Sequence, residues 1–116
     1  MSGAGDLNER ATQALECKNK GNEFLKQKKF NEAIQWYTEG IKYDPENHIL
    51  YSNRSAAYLS LGNTEFALRD ANECIRIKPD FPKGYARKGA AYHAMKKYDQ
   101  AIDAYDEGMP LLRRRF

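Results

Sequence analysis

The spacing of apolar side chains along the chain predicts amphipathic helices. Apolar and small residues recur every three or four positions, as on the buried face of a helix. In the first third of the chain these positions are Gly21, Phe24 and Leu25, then Ala33, Ile34, Tyr37 and Ile41. The two groups are separated by the polar segment Gln27-Lys28-Lys29. The pattern predicts a pair of helices joined by a short turn.

Turn-forming residues divide the rest of the chain in the same way. Gly62-Asn63 and Lys96-Lys97 predict the turns inside two further helix pairs, with Asn63 or Thr64 as the N-cap of the following helix. Asp44-Pro45 and Lys78-Pro79 follow apolar stretches and predict the ends of the second helices. The whole sequence therefore indicates an all-α fold.

The helix pairs repeat every 34 residues. Pro45 and Pro79 are separated by this step, and small residues form two complete series at the same period. The series are Gly21, Ser55 and Gly89 in the first helices, and Ala33, Ala67 and Ala101 in the second helices. Small residues at facing positions allow two helices to approach closely. A period of this length is typical of a stacked helical repeat.

These series resemble the tetratricopeptide repeat (TPR), which has small residues at its eighth and twentieth positions and a closing proline. Counted from Ala14, His48 and Pro82, the three repeats are 14–47, 48–81 and 82–112, within a TPR domain over 8–112. We expect a flexible segment at 1–7 and a basic tail at 113–116. The copy departs from the family pattern at Cys17, and its third repeat has Pro110 early and Arg113 in place of the closing proline.

The resemblance implies a short right-handed superhelical solenoid of six antiparallel helices, whose first helices line a concave groove. Family members commonly add a seventh helix with a polar outer face, and the sequence shows none after the third repeat. We therefore expect an exposed apolar patch at Met109, Leu111, Leu112 and Phe116, which would favour self-association or docking to a neighbouring domain.

Composition narrows the classes of function. The 116 residues form one small domain, and their 41% hydrophobic and 30% charged content excludes a disordered chain. The N-terminus lacks the features of a signal peptide and no segment has the apolar length of a membrane span, so we expect a cytoplasmic protein. The net charge of +3 is too small to indicate nucleic-acid binding by itself.

Residues capable of metal binding or catalysis are sparse. Cys17 and Cys74 have neither metal-binding nor redox spacing, so we expect them in or near the core. His48 and His93 have no carboxylate or cysteine at ligand-like spacing. The sequence also lacks a phosphate-binding loop and a nucleophile motif. We therefore expect no enzyme activity, no cofactor and no metal.

Polar and basic residues on the first helices form the candidate binding site. Lys18 and Asn22 are four residues apart and share a helix face, as do Lys83 and Arg87. Asn53 lies one repeat before Arg87. If the first helices face the groove, these five residues converge there. Their ammonium, guanidinium and carboxamide groups suit a carboxylate ligand.

The set resembles the two-carboxylate clamp of TPR co-chaperones, and the matching segments are 18–22, 51–58 and 83–88. The second segment and its flank resemble the Hop/Sti-type organising co-chaperones most. The resemblance implies that the ligand is the C-terminal Glu-Glu-Val-Asp tail of a heat-shock chaperone of the seventy- or ninety-kilodalton class. It assigns the two terminal carboxylates to Lys18, Asn22, Asn53 and Arg87, and the aspartate side chain to Lys83 as well.

Further residues are candidates for contacts beyond the clamp or for packing. The series Lys20, Arg54 and Lys88 either extends the basic groove or pairs with Glu39, Glu73 and Glu107. Phe24, Ala56 and Leu59 are candidates for an apolar wall that receives the valine of the ligand. We expect packing roles for Tyr51, Tyr58, Tyr85 and Tyr92, and a structural role for Trp36 outside the groove.

Two other functions stay open at this point. The segment Arg113-Arg114-Arg115 is able to attract RNA or an anionic membrane, although we expect neither partner. The second alternative is a structural assembly module that stacks through its uncapped C-terminal face.

Overall fold

The computed structural model describes residues 3–113, with side chains for 7–112. All regular secondary structure in this range is helical. The six helices are α1 (Gly3–Lys26), α2 (Phe30–Tyr43), α3 (His48–Ser60), α4 (Thr64–Ile77), α5 (Pro82–Ala94) and α6 (Tyr98–Arg113). They form three consecutive pairs, so the predicted all-helical TPR fold is confirmed.

Local sequence explains where most helices begin and end. Helices α2 and α4 end directly before Asp44-Pro45 and Lys78-Pro79, as predicted. The side chain of Asn47 caps α3 by accepting hydrogen bonds from the N–H groups of Ile49 (3.1 Å) and Leu50 (3.2 Å). Asn63 is the N-cap residue of α4, one of the two predicted, but its side chain makes no capping hydrogen bond. Its carbonyl instead accepts the N–H of Ala67.

Helix α1 is longer than the repeat pattern requires. It begins at Gly3, inside the segment 1–7 that we expected to be flexible, and about three turns before Ala14. Arg10 in this extension donates hydrogen bonds to the carbonyl oxygens of Tyr43 (3.2 Å) and Lys42 (3.3 Å). Carbonyl groups at a helix C-terminus lack intrahelical partners, so Arg10 stabilises the end of α2. The predicted domain boundaries themselves stay predictions.

The small-residue series brings paired helices into close contact. A Cβ atom added at Gly21 would lie 2.5 Å from Cε1 of Tyr37, and one at Gly89 would lie 2.5 Å from Cε1 of Tyr105. Ser55 holds the corresponding place in the second repeat, where its Oγ donates to the carbonyl of Ala67 (2.8 Å). The second series is buried throughout, at Ala33, Ala67 and Ala101. The predicted role of both series is confirmed.

Helix contacts explain why the stack is curved. Among the described residues, α1 approaches α3 and α3 approaches α5 with Cα atoms within 8 Å, whereas α2 and α4, and likewise α4 and α6, have no Cα atoms this close. The first helices of the pairs therefore converge, and the second helices spread apart on the opposite side. This arrangement makes the first helices the lining of a concave surface.

The tyrosines that we expected to pack do so to different degrees. Tyr85 is buried, and its hydroxyl donates to the carbonyl of Pro79 (2.8 Å). Tyr51, Tyr58 and Tyr92 are half-buried. Tyr58 also stacks on Phe66 with ring centroids 5.3 Å apart.

The outer face of α6 carries an exposed apolar stripe. Met109 and Leu112 are exposed as predicted, whereas Leu111 is half-buried and Phe116 lies outside the described residues. The stripe continues along the helix at Tyr98, Ile102 and Tyr105, which the sequence analysis did not include. One repeat earlier, the residues of α4 equivalent to Ile102, Tyr105 and Met109 are Leu68, Ala71 and Ile75. Helix α5 packs against α4 on this face. Pro110 lies within α6 and does not end it.

Candidate functional site

The five predicted clamp residues all lie on the three converging helices. Lys18 and Asn22 are on α1, Asn53 is on α3, and Lys83 and Arg87 are on α5. Lys83 is exposed and the other four are half-buried, so all five are accessible at the surface. Their assignment to a ligand stays a prediction.

Asn22 and Asn53 are in direct contact across the boundary between the first two repeats. Asn53 donates from Nδ2 to Oδ1 of Asn22 at 3.1 Å. The same Oδ1 accepts a hydrogen bond of 2.5 Å from the hydroxyl of Tyr37 on α2. Both carboxamides are therefore held in place by neighbours within the protein.

Arg87 joins this group from the third repeat. Its Nε donates to the carbonyl oxygen of Ser52, the residue before Asn53, at 3.2 Å. Burial lowers the pKa of the Arg87 guanidinium, which still remains charged near neutral pH. Arg87 and Tyr37 each affect the pKa of the other, which indicates that they lie near one another.

Two cations of the predicted clamp have no acidic partner among the described residues. No carboxylate oxygen of these residues lies within 4.0 Å of the side-chain nitrogens of Lys18 or Arg87. Arg87 is also partly removed from water. A half-buried cation with no described carboxylate beside it favours the binding of an anion at this place.

Tyr37 contacts the candidate site through its hydrogen bond to Asn22, although the sequence placed it only in the helical pattern. Its side chain is fully buried behind the groove, and burial raises its pKa to about 12, so the hydroxyl stays protonated. The second repeat has Ala71 at the equivalent position. Because the residue type changes at this position, the 34-residue period did not single out Tyr37.

The series Lys20, Arg54 and Lys88 does not form one continuous basic surface. Arg54 makes a two-pronged ion pair with Asp70, with Nε–Oδ2 and Nη2–Oδ1 both 2.8 Å, and it donates from Nη1 to Thr38. Lys20 lies over the ring of Trp36, 4.4 Å from its centroid. The role of Arg54 as a peptide contact stays a prediction, and its guanidinium already bonds to Asp70 and Thr38.

The acidic residues that we considered as partners of this series have other partners in two cases. Glu39 pairs with Lys42 at 3.2 Å, and Glu73 pairs with Arg76 at 2.9 Å. Glu107 and Lys88 line the same surface cavity of about 230 Å³, between α5 and α6. Asp70, which the sequence analysis did not name, is the actual partner of Arg54 because it lies opposite on α4.

The apolar candidates lie at the edge of the core. Phe24 is half-buried and packs against the core residues that surround Tyr37. Ala56 and Leu59 on α3 are half-buried. A separate cavity of about 430 Å³ adjoins Lys83 and is lined by Phe81, Pro82, Ala86 and Leu112. The role of Phe24, Ala56 and Leu59 in binding a valine stays a prediction.

The cysteines and histidines form no reactive site. Cys17 and Cys74 are buried free thiols, as expected, and burial raises the pKa of Cys74 to about 11. His48 packs edge-on against Phe81, with ring centroids 4.6 Å apart. Among the described residues, no group of three or more His, Cys, Asp and Glu side chains is placed to hold a metal ion. The same range has no helix with the length and apolar character that crossing a membrane requires.

Comparisons with known proteins support the repeat assignment. The TPR repeat model matches residues 21–62, and two models of the tetratricopeptide repeat match 49–81 and 79–106. The Hsp70-Hsp90 organizing protein 3 of Arabidopsis thaliana is 48% identical over 98 residues, which cover 84% of this chain. The chain spans only 18% of that relative's length.

Solved structures agree in fold over most of the chain. The first TPR of Spaghetti (RPAP3), bound to the HSP90 peptide SRMEEVD, has a TM-score of 0.84 at 38% identity and covers 86% of this chain and 79% of its own. The TPR2B domain of yeast Sti1 in complex with an Hsp70 peptide has a TM-score of 0.84 at 34% identity, with coverage of 86% and 80%. Together with its three repeats of paired helices, this similarity shows that the chain belongs to the tetratricopeptide repeat family.

Proposed function

We propose that the chain is a co-chaperone domain that binds the acidic C-terminal Glu-Glu-Val-Asp tail of a heat-shock chaperone. The observation that carries this proposal is the group of Asn22, Asn53 and Arg87, brought together from three repeats, in which no carboxylate of the described residues lies within 4.0 Å of the arginine. The proposal is supported by the relatives named above, two of which were solved with HSP90 or Hsp70 peptides.

The groove would act as a clamp on two neighbouring carboxylates. Lys18, Asn22, Asn53 and Arg87 would hold the main-chain carboxylate and the aspartate carboxylate, and Lys83 would reach the aspartate from the exposed rim. Each charge-assisted hydrogen bond would contribute about 1.5–3 kcal/mol where water is partly excluded. Specificity then depends on a free C-terminus beside an aspartate.

The protein side of the clamp is already ordered before the ligand binds, which reduces the loss of conformational entropy on binding. Asn22 and Asn53 are already fixed by hydrogen bonds, and Arg87 is anchored on the backbone of α3. Binding would therefore order mainly the short peptide, which limits the loss of conformational entropy. Such a protein needs no catalytic group and no cofactor, and it would meet its chaperone in the cytoplasm.

The test is calorimetric titration of the chain with a peptide ending in Glu-Glu-Val-Asp. We expect binding by the unmodified chain and a loss of at least tenfold in affinity for both Lys83→Ala and Asn53→Ala. Lys42→Ala is the matched control, because Lys42 is an exposed lysine on α2 that pairs with Glu39. The same peptide with a C-terminal carboxamide should also bind at least tenfold more weakly.

Two results would contradict the proposal. One is equal affinity for the carboxylate and carboxamide peptides, because the clamp requires the terminal charge. The other is no binding by the folded chain. If its mass also rose with concentration, the exposed face of α6 would become the site to study, and self-association the leading function.

A further inference from the structure

We propose that Tyr37, a buried residue on α2, positions the carboxamide of Asn22 so that both of its N–H donors face the ligand. Tyr37 would act through Asn22 and would not touch the peptide, since its side chain has no solvent exposure. The inference rests on the proposed function and adds a positioning residue to the clamp.

The hydrogen bonds around Asn22 carry the first step. A carboxamide oxygen has two lone pairs and its nitrogen has two N–H donors. Tyr37 and Asn53 both donate to Oδ1 of Asn22, so both lone pairs are occupied. The Nδ2 group must then point away from these donors. The opposite orientation would place an N–H of Asn22 against the N–H of Asn53, would end the hydrogen bond that Tyr37 donates, and would turn the oxygen toward an approaching anion.

The second step concerns the rigidity of Tyr37. Its ring packs so closely on Gly21 that an added Cβ would lie 2.5 Å from Cε1 and 2.7 Å from Cδ1. The ring also belongs to the core cluster with Ala33 and Leu50. A ring held on both sides gives its hydroxyl a fixed position. Because burial keeps the hydroxyl protonated, it remains a donor near neutral pH.

The third step comes from the third repeat, which supplies an internal comparison. Tyr105 is equivalent to Tyr37 and packs on Gly89 with the same close approach. The position equivalent to Asn22, however, is Ala90. The third repeat therefore keeps the ring and glycine packing but has no carboxamide to orient. Comparing the two repeats therefore separates the effect of the ring packing on glycine from the effect of the carboxamide orientation.

The experiment compares Tyr37→Phe with Tyr105→Phe in titrations with the Glu-Glu-Val-Asp peptide. Phenylalanine keeps the ring and removes only the hydroxyl. We expect Tyr37→Phe to weaken binding about tenfold, because Asn22 loses one of the two donors that fix its orientation. We expect Tyr105→Phe to bind within about twofold of the unmodified chain. Equal affinity of the Tyr37→Phe variant would overturn the inference and leave the clamp itself standing.

A double-mutant cycle distinguishes positioning from a purely structural role. In an Asn22→Ala background, Tyr37→Phe should cause no further loss of affinity, because Tyr37 would act only through Asn22. Full additivity of the two losses would contradict the inference. Absence of binding by the unmodified chain would overturn both the inference and the proposed function, so the failures of the two ideas give different results.

Discussion

Arg54 and Asp70 form an ion pair that joins α3 to α4 inside the second repeat. The Nε–Oδ2 and Nη2–Oδ1 distances are both 2.8 Å. The side chain of Arg54 is 17% exposed and that of Asp70 is 5% exposed. Arg54 also donates to Thr38 on α2, so one guanidinium connects three helices. Burial raises the pKa of the Asp70 carboxyl, while the hydrogen bonds from Arg54 oppose that rise.

Replacing one member of this ion pair should lower the free energy of unfolding far more than replacing both members. Arg54→Met leaves Asp70 buried without its partner, and we expect the free energy of unfolding to fall by about 3–5 kcal/mol. The double variant Arg54→Met, Asp70→Leu should recover most of this loss. Denaturant unfolding followed by circular dichroism measures both. Lys88→Met is the matched control, because its repeat has Ala104 in the place of Asp70, and it should change stability by less than about 0.5 kcal/mol.

The two equivalent glycines should differ in their tolerance of a methyl group. Gly21→Ala would force a Cβ against the fully buried Tyr37, and we expect a loss of about 2–3 kcal/mol in the free energy of unfolding. Gly89→Ala meets Tyr105, which is 41% exposed and has room to move. The higher helix propensity of alanine should then offset much of the strain, leaving a change below about 1 kcal/mol. Equal losses at the two sites would contradict this account.

Two buried serines on α3 should respond oppositely to replacement by alanine. Ser52 is buried, and its Oγ has no hydrogen-bond partner among the described residues. Ser52→Ala should therefore raise the free energy of unfolding by about 1 kcal/mol, since it removes an unsatisfied hydroxyl. Ser55→Ala should lower it by about 1 kcal/mol, because the Ser55 hydroxyl donates to Ala67. Thermal unfolding of the two variants, compared at one pH, gives the signs directly.

Stability should fall on acidification through His48. Burial, together with the positive charge of Lys78, lowers the pKa of His48 below its ordinary value of 6.5, and Asp80 opposes this shift. The unfolded chain then binds more protons than the folded chain as the pH falls through 6.5, so the stability present above that pH decreases. His48→Gln should flatten this part of a plot of unfolding free energy against pH. An unchanged slope in the variant would contradict the assignment to His48.

The sequence by itself determined the repeat and most helix ends, and it predicted the members of the clamp. These features depend on local chemistry, such as a proline that stops a helix, or on a fixed period that places Asn53 and Arg87 one repeat apart. Packing of the small series Ala33, Ala67 and Ala101 followed from the same period. Such properties can be predicted from the sequence because each depends on spacing or on immediate neighbours in the chain.

Only the tertiary structure decided which partner each polar side chain has. The period could not show that Arg54 pairs with Asp70, or that Tyr37 and Asn53 share one oxygen of Asn22. Nor could it show that the side chain of Asn47 makes capping hydrogen bonds while that of Asn63 makes none. Such contacts depend on what lies opposite after helices from different repeats have packed. Their energies vary steeply with distances of a few tenths of an ångström, which no spacing along the sequence encodes.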